Sequence, residues 1–295
     1  MGESMEKKYL QRVLDQCSKG ELIYWWTMRL LMVGGIIFTV VRYLQGVPFV
    51  EGGFNPSYKF NIATGQYDPS VYNALQMGLN LVGLFAFEIC QLFPKKTFVR
   101  NMPAYFQNIT ALGFFLASFG GAFLNFYYII PGFDKVLHLT GCVEAVFISY
   151  EMVAAIQLRD KKTCPANIAT MAAFGMAFIF AAGWELFEFS TDQWLGFDAQ
   201  HWSYKNALVE AGVENIDELF NFISLKGFSL EEQKMRFAVM DTMGDAILNV
   251  LGAVPMYLIL RKHPYRHQGR RDVNRQIGEM LAAEAAEQEK ETVSV

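Results

Sequence analysis

Residues 182–192 read AGWELFEFSTD and close one of the most apolar runs of the chain, yet they place Glu185, Glu188 and Asp192 three and four positions apart. Residues at that spacing share one face of a helix. The run they end is long enough to cross a hydrocarbon core, which takes about 20 mostly apolar residues. Three acids on one face of a membrane-length helix need an explanation. It has to come from what other segments bring to the same depth.

Composition supports a membrane setting. Of 295 residues, 53% are hydrophobic, 15% aromatic and only 18% charged, against roughly 25% charged in soluble domains. Six segments qualify as spans: 22–44, 71–93, 104–130, 134–157, 166–190 and 238–260. The expected fold is therefore all-α, a polytopic membrane bundle of about six helices. Lysines and arginines mark the cytoplasmic loops of such proteins. Lys7, Lys8, Arg12 and Lys19 precede the first span; Lys95, Lys96 and Arg100 follow the second; Arg159, Lys161 and Lys162 follow the fourth; Arg261, Lys262, Arg266, Arg270 and Arg271 follow the sixth. The intervening connections differ: 45–70 carries only Lys59, the turn Pro131-Gly132 is uncharged, and the long 193–237 loop is mostly acidic. This pattern places residues 1–21 in the cytoplasm, 22–260 in the membrane with outer loops 45–70 and 193–237, and 261–295 as a cytoplasmic tail, basic then acidic.

Other classes are excluded or disfavoured. A net charge of -4 without a basic stripe argues against nucleic acid. Cys17, Cys90, Cys142 and Cys164 form no metal-ligand spacing and read as free thiols. No cleavable signal peptide or myristoylation signal is visible at the start. Tyr9, Val13 and Leu14, with Leu10, suggest a short interfacial helix, whereas the Ala/Glu/Gln-rich tail reads as solvated. No internal repeat is evident. The expected setting is a bacterial cytoplasmic membrane, with membrane lipids as partners.

Placed by depth, the polar residues of three spans coincide. FDKVLHLTG (133–141) enters from outside with Asp134 at the rim and His138 a turn deeper. The fifth span leaves through Glu185, Glu188 and Asp192, and DTMGDAILNVLG (241–252) re-enters through Asp241, Asp245 and Asn249. The expected layers are Asp134, Asp192 and Asp241, then His138, Glu188 and Asp245, then Glu185 and Asn249. Gly141 and Gly252 continue two of these faces and leave room for close helix approach or for a ligand. One acid at mid-membrane costs about 2.5–3.5 kcal/mol on insertion scales, so these carboxylates should turn inward and form a shared pocket.

Blander readings stand beside this one. Asp192 and Asp241 could be solvated boundary residues, Asp134 a helix-capping acid, His138 a satisfied interior histidine, and the aromatics an interfacial belt. Arg29, Glu88 and Glu151 lie towards the cytoplasmic half and read as a structural ion pair. Glu144 lies off the main stripe, where it could extend a proton path.

The segments resemble known proteins. DKVLH (134–138), a later Glu and D…N..GA near the last span resemble the VanZ-like membrane proteins. FDKVLHLTG, WELFEFSTDQWLG.DAQ and DTMGDAILNVLGA together are closer to uncharacterised YjdF-like inner-membrane proteins of bacteria, and YWWTMRLL (24–31) fits that group's opening. The resemblance covers Tyr24 to Val254 and carries Asp134, His138, Trp184, Glu185, Glu188, Asp192, Asp241, Asp245 and Asn249. An acid often found late in the third span of that group is missing from SFGGAFLNFYY (118–128). VanZ-like proteins are linked with teicoplanin resistance, which implies cell-envelope biology; neither family implies a reaction.

Carboxylates around one imidazole suit a divalent ion such as Zn, Mn or Mg. The first functional reading is a metal-dependent hydrolase or transferase acting on an envelope lipid. Glu185, Glu188, Asp245 and His138 would carry the chemistry. Asp134, His138, Glu188, Asp192, Asp241 and Asp245 would be the ligand candidates, supported by Asn249 and Trp184. His201 in the outer loop is a further ligand candidate. The alternatives are a proton- or cation-coupled transporter or flippase, and a non-catalytic scaffold or sensor.

Overall fold

Ser18 starts the first long helix, α1 (Lys19–Leu44). Its hydroxyl accepts from the Glu21 backbone N–H while the Glu21 carboxylate accepts from the Ser18 N–H, so two otherwise orphaned donors are satisfied reciprocally. The computed structural model describes residues 9, 11–51, 53–61, 66–94, 96–195, 199–200, 237–262 and 273–293. After α1 come α2 (Tyr72–Gly83), α3 (Ala86–Leu92), α4 (Tyr105–Phe115), α5 (Phe133–Asp160), α6 (Ala166–Leu195), α7 (Phe237–Lys262) and α8 (Val273–Val293). Among the described residues α1, α5, α6 and α7 are long and apolar enough to cross a membrane, as is α4 with its helical continuation to Phe123, and the bent pair α2–α3 makes a sixth span if counted as one. Leu30, Val82, Ile179, Leu186 and Ile247 are each more than half exposed. Lipid tails accept such a surface, because the helices satisfy their own backbone groups.

Two cores organise the bundle. Trp25 and Met32 of α1, Met77 of α2, Phe87 of α3 and Phe106 of α4 bury one another in the first. In the second, Val146 and Phe147 of α5 meet Ala173 and Ala177 of α6 and Ala253 and Met256 of α7. The small residues let these helices approach closely. Gly252 is the tightest point, because a Cβ there would collide with the Leu139 backbone carbonyl of α5. Gly141, by contrast, has no neighbour within 4 Å of a built Cβ. The two glycines thus split the roles expected of them, one for approach and one for space.

The second span bends by 51° between α2 and α3. Buried side chains take up the backbone groups freed there. Arg29 donates to the Leu84 carbonyl through Nε (3.0 Å) and Nη2 (2.5 Å). Gln107 of α4 also donates to that carbonyl, and its own Oε1 accepts from the Phe87 N–H at 2.9 Å. Arg29 completes its shell with Glu88 at 2.6 Å and the face of Phe85 at 3.9 Å. The expected ion pair is therefore Arg29–Glu88. Glu151 is fully buried on α5 and makes no hydrogen bond to this pair.

Three further differences from the sequence reading emerge. The third span does not run helically to 130: α4 continues as a π-helical stretch over Leu116–Phe123 and ends near Asn125, whose φ is +66°. Gly121 permits this ending by letting the Tyr127 ring lie against it. In the loop 45–70, Tyr58–Asn61 and Gln66–Pro69 pair as an antiparallel hairpin. In the tail, α8 is not solvated all round, because Ile277 is buried against Ala154 and Leu158 of α5. Near the N-terminus residues 11–16 are helical, and Val13 and Tyr9 join the first core.

Candidate functional site

The N-terminal turns of α5, the C-terminal turns of α6 and the N-terminal turns of α7 meet at one end of the bundle. Each helix brings its polar stripe to the shared axis because its other faces are apolar and packed or turned outward. Asp134, His138, Glu188, Asp192, Asp241, Asp245 and Asn249 are all buried, Asp245 fully so. His138 is at the centre. Its Nε2 lies 3.6 Å from Asp134 Oδ1 and 3.6 Å from Asp245 Oδ2, and its Nδ1 lies 3.7 Å from Glu185 Oε1. These separations are too long for good hydrogen bonds.

The Glu185 carboxylate thus reaches the imidazole directly, across the layers expected from helical rise. Counting rise from each helix end assumes parallel axes and equal entry heights, and packing does not keep to either. Glu188 accepts from the Trp184 indole N–H at 2.7 Å through Oε1. Its Oε2 and both oxygens of Glu185 have no hydrogen-bond partner among the described residues. Asp192 does different work: its two oxygens accept from the backbone N–H groups of Ala199 (2.7 Å) and Gln200 (2.9 Å). Gln200 in turn donates to the Thr242 hydroxyl at 3.0 Å, tying the end of α6 to α7. His201 lies outside the described residues.

The sequence reading missed Lys135. Its Nζ lies 2.5 Å from Asp241 Oδ1, 3.0 Å from Asp245 Oδ1 and 3.3 Å from Asp134 Oδ2. A lysine beside an acid at a helix start reads as an interfacial residue, and only its position in the segment DKVLH could have flagged it. Its long stem lets the ammonium reach a neighbouring helix.

The cluster borders an apolar cavity of about 440 Å³ between α4, α5 and α6, lined by Phe106, Phe114, Leu116, Ile148 and Phe180 among others. Asp134, His138, Trp184, Glu188 and Asn249 border one end, and Glu144 lines the wall further along. The Glu144 carboxylate sits against Gly113 of α4, where a Cβ would crowd it. The missing acid of the third span has no substitute on α4, but Glu144 of α5 faces the same space.

A family described as Predicted membrane protein (DUF2238) matches residues 62–265, from before α2 to beyond α7. The chain belongs to the DUF2238 family. No curated protein and no solved structure matches it. In this DUF2238 member the matched region contains the whole acid cluster and the apolar cavity, while α1 with Arg29 precedes it.

Two sets of donor atoms in the cluster lie within 4.8 Å of one another: Asp134, His138 and Asp245, and His138, Glu185 and Glu188. A neutral imidazole has one free lone pair and one N–H, so His138 can serve as ligand in only one set at a time. Lys135 already stands against Asp134 and Asp245. Glu185 and Glu188 carry the orphaned oxygens. The donor set therefore fits a divalent ion better at His138 Nδ1, Glu185 and Glu188. The Nε2–H is then left facing Asp134 and Asp245, the outer-shell arrangement usual for a ligating histidine. The 3.7 Å between Nδ1 and Glu185 Oε1 is close to the ligand spacing of about 3.4 Å implied by bonds of about 2.1 Å in a tetrahedral site.

Proposed function

We propose that this protein is a membrane-embedded hydrolase or transferase acting on a lipid of the cell envelope, dependent on a divalent ion. The observation that carries this reading is the meeting of an acid-rich, under-neutralised cluster with the end of an apolar cavity inside a membrane protein. An amphiphile matches both parts: its chain would lie along Phe106, Phe114, Ile148 and Phe180, and its polar group would reach His138 and Glu188.

His138, Glu185 and Glu188 would hold the ion, and Zn or Mn suits the mixed imidazole and carboxylate donors better than Mg. When bound, such an ion supplies a Lewis acid that polarises a phosphoryl or acyl oxygen and acidifies water. The chain's own residues do the rest. Trp184 fixes the rotamer of Glu188 through its indole hydrogen bond. Asp134 and Asp245, each 3.6 Å from Nε2, would orient the imidazole by their charge. Lys135 balances Asp241 and Asp245, and the Asn249 carboxamide offers a neutral donor at the cavity end. The packed apolar walls limit water. The likeness of DKVLH and its companion segments to VanZ-like and YjdF-like proteins supports a role in the bacterial envelope.

Metal analysis of protein purified without chelators tests the reading. The expected result is one divalent ion per chain, lost in Glu185→Gln and Glu188→Gln and retained in Asp192→Asn. Metal-free wild-type protein whose cellular phenotype survives Glu188→Gln and Asp245→Asn would sink it. A second reading is proton- or cation-coupled transport. It is favoured by Glu144, which lines the same cavity six residues beyond His138 and could pass charge inward. Flux through proteoliposomes that follows the proton gradient and collapses in Glu144→Gln would select it.

A further inference from the structure

At the opposite end of the bundle a second cavity of about 450 Å³ is lined by Arg12, Gln16, Gln91, Arg100, Asn101 and Gln276, with two apolar residues. Two guanidiniums therefore face one polar space, and no carboxylate lines it among the described residues. Arg12 Nε is buried without a hydrogen-bond acceptor. Arg100 uses Nη1 on the Phe93 carbonyl at 3.2 Å, which leaves its other N–H groups for a ligand. Burial, and then the Arg12 charge, pull the Arg100 pKa down, so the two cations are held together against their repulsion. The remaining polar lining is carboxamide, which can donate without adding charge.

The walls come from distant parts of the chain. Arg12 and Gln16 belong to the N-terminal segment, Gln91 to α3, Arg100 and Asn101 to the short helix Phe98–Asn101, and Gln276 to α8. α8 is fixed there by Ile277 against Ala154 and Leu158. Guanidinium forks match phosphate oxygens in pairs. By the charge of its loops this end faces the cytoplasm, beside a leaflet that carries anionic lipid.

We propose that this cavity binds a phosphate group between Arg12 and Arg100, from a phospholipid headgroup of the adjoining leaflet or from a free phosphate, and that the bound anion latches α8 to the membrane domain. The site is distinct from the acid cluster and does not depend on the reading given to it.

Full-length, delipidated protein in neutral detergent provides the test. Orthophosphate is offered by equilibrium dialysis, phosphatidylglycerol by native mass spectrometry, and tryptic cleavage after Arg275 reports on α8. Wild type should bind one phosphate group per chain and resist cleavage in its presence. Binding of both probes identifies an anion site open to free phosphate; binding of the lipid alone identifies the headgroup as the source. Either result supports the proposal. Arg12→Gln and Arg100→Gln should each weaken binding about tenfold, while Arg12→Lys should retain part of it. If Arg100→Gln does not fold, because Phe93 loses its donor, Arg12→Gln carries the test alone. Wild type that binds neither probe, or an Arg12→Gln protein that binds as tightly as wild type, overturns the proposal.

Discussion

Lys135 follows Asp134 directly and so lies about 100° round the helix from it, yet its ammonium reaches both Asp241 and Asp245 on α7. Replacing it by methionine strands buried carboxylates, a change that costs about 3–5 kcal/mol when a buried pair loses one partner. Lys135→Met should therefore lower the unfolding midpoint in detergent, and adding Asp245→Asn should recover part of the loss in a double-mutant cycle. The two glycines differ at the same scale. Gly252→Ala drives a methyl into the Leu139 carbonyl and should destabilise by about 1–3 kcal/mol, whereas Gly141→Ala should leave thermal stability unchanged. Cys17 offers a pH-dependent readout outside the spans. Burial, then the Glu21 charge, push its thiol up to about 12 from 9.0, so less of the reactive thiolate is present at any lower pH. In a variant keeping only Cys17, alkylation at pH 7 should run about a thousandfold slower than for an ordinary thiol. Its rate should keep rising past pH 10, and a plateau below pH 9 would contradict this account.

At the scale of elements, the broken second span depends on groups from two other helices. Arg29 of α1 and Gln107 of α4 both donate to the Leu84 carbonyl. Gln107→Leu removes one donor from Leu84, whose carbonyl keeps Arg29, and the acceptor of the Phe87 N–H, at about 1–3 kcal/mol for the buried amide left unpaired. Arg29→Lys keeps the charge but not the fork. Hydrogen exchange should show both substitutions loosening residues 84–89 while α5–α7 stay protected. Equal loosening of α5–α7 would mean that the break is not a local device.

For the whole molecule, the basic loops and the polar cluster mark opposite ends of one bundle. Reporter fusions should place residues 1–21 and 261–295 on one side of the membrane, with insertions in 45–70 and 193–237 on the other. A reporter in 193–237 that shares the side of the termini would refute the topology.

How much of this was legible differs from residue to residue. The stripes Glu185/Glu188/Asp192 and Asp241/Asp245/Asn249 were readable because helical spacing is local and the cost of acids in lipid fixes which way they turn. Lys135 was not, because reaching α7 depends on how close α5 and α7 come, which Gly252 sets. The break at Leu84 was hidden for a similar reason: residues 81–87 are apolar without a Pro to mark a break, and the groups that cap it lie 55 and 23 residues away. Arg12 and Arg100 were readable only as topology signals, since their shared cavity forms when five segments converge.

The sequence by itself determined the membrane class and the inward turn of three polar faces, because hydropathy and helical period are properties of short stretches. Only the tertiary structure decided which atoms meet: the imidazole between Glu185 and Asp245, the ammonium between α5 and α7, the guanidinium on a freed carbonyl. Those meetings depend on interhelical distances of a few ångströms, which packing sets and no local pattern encodes.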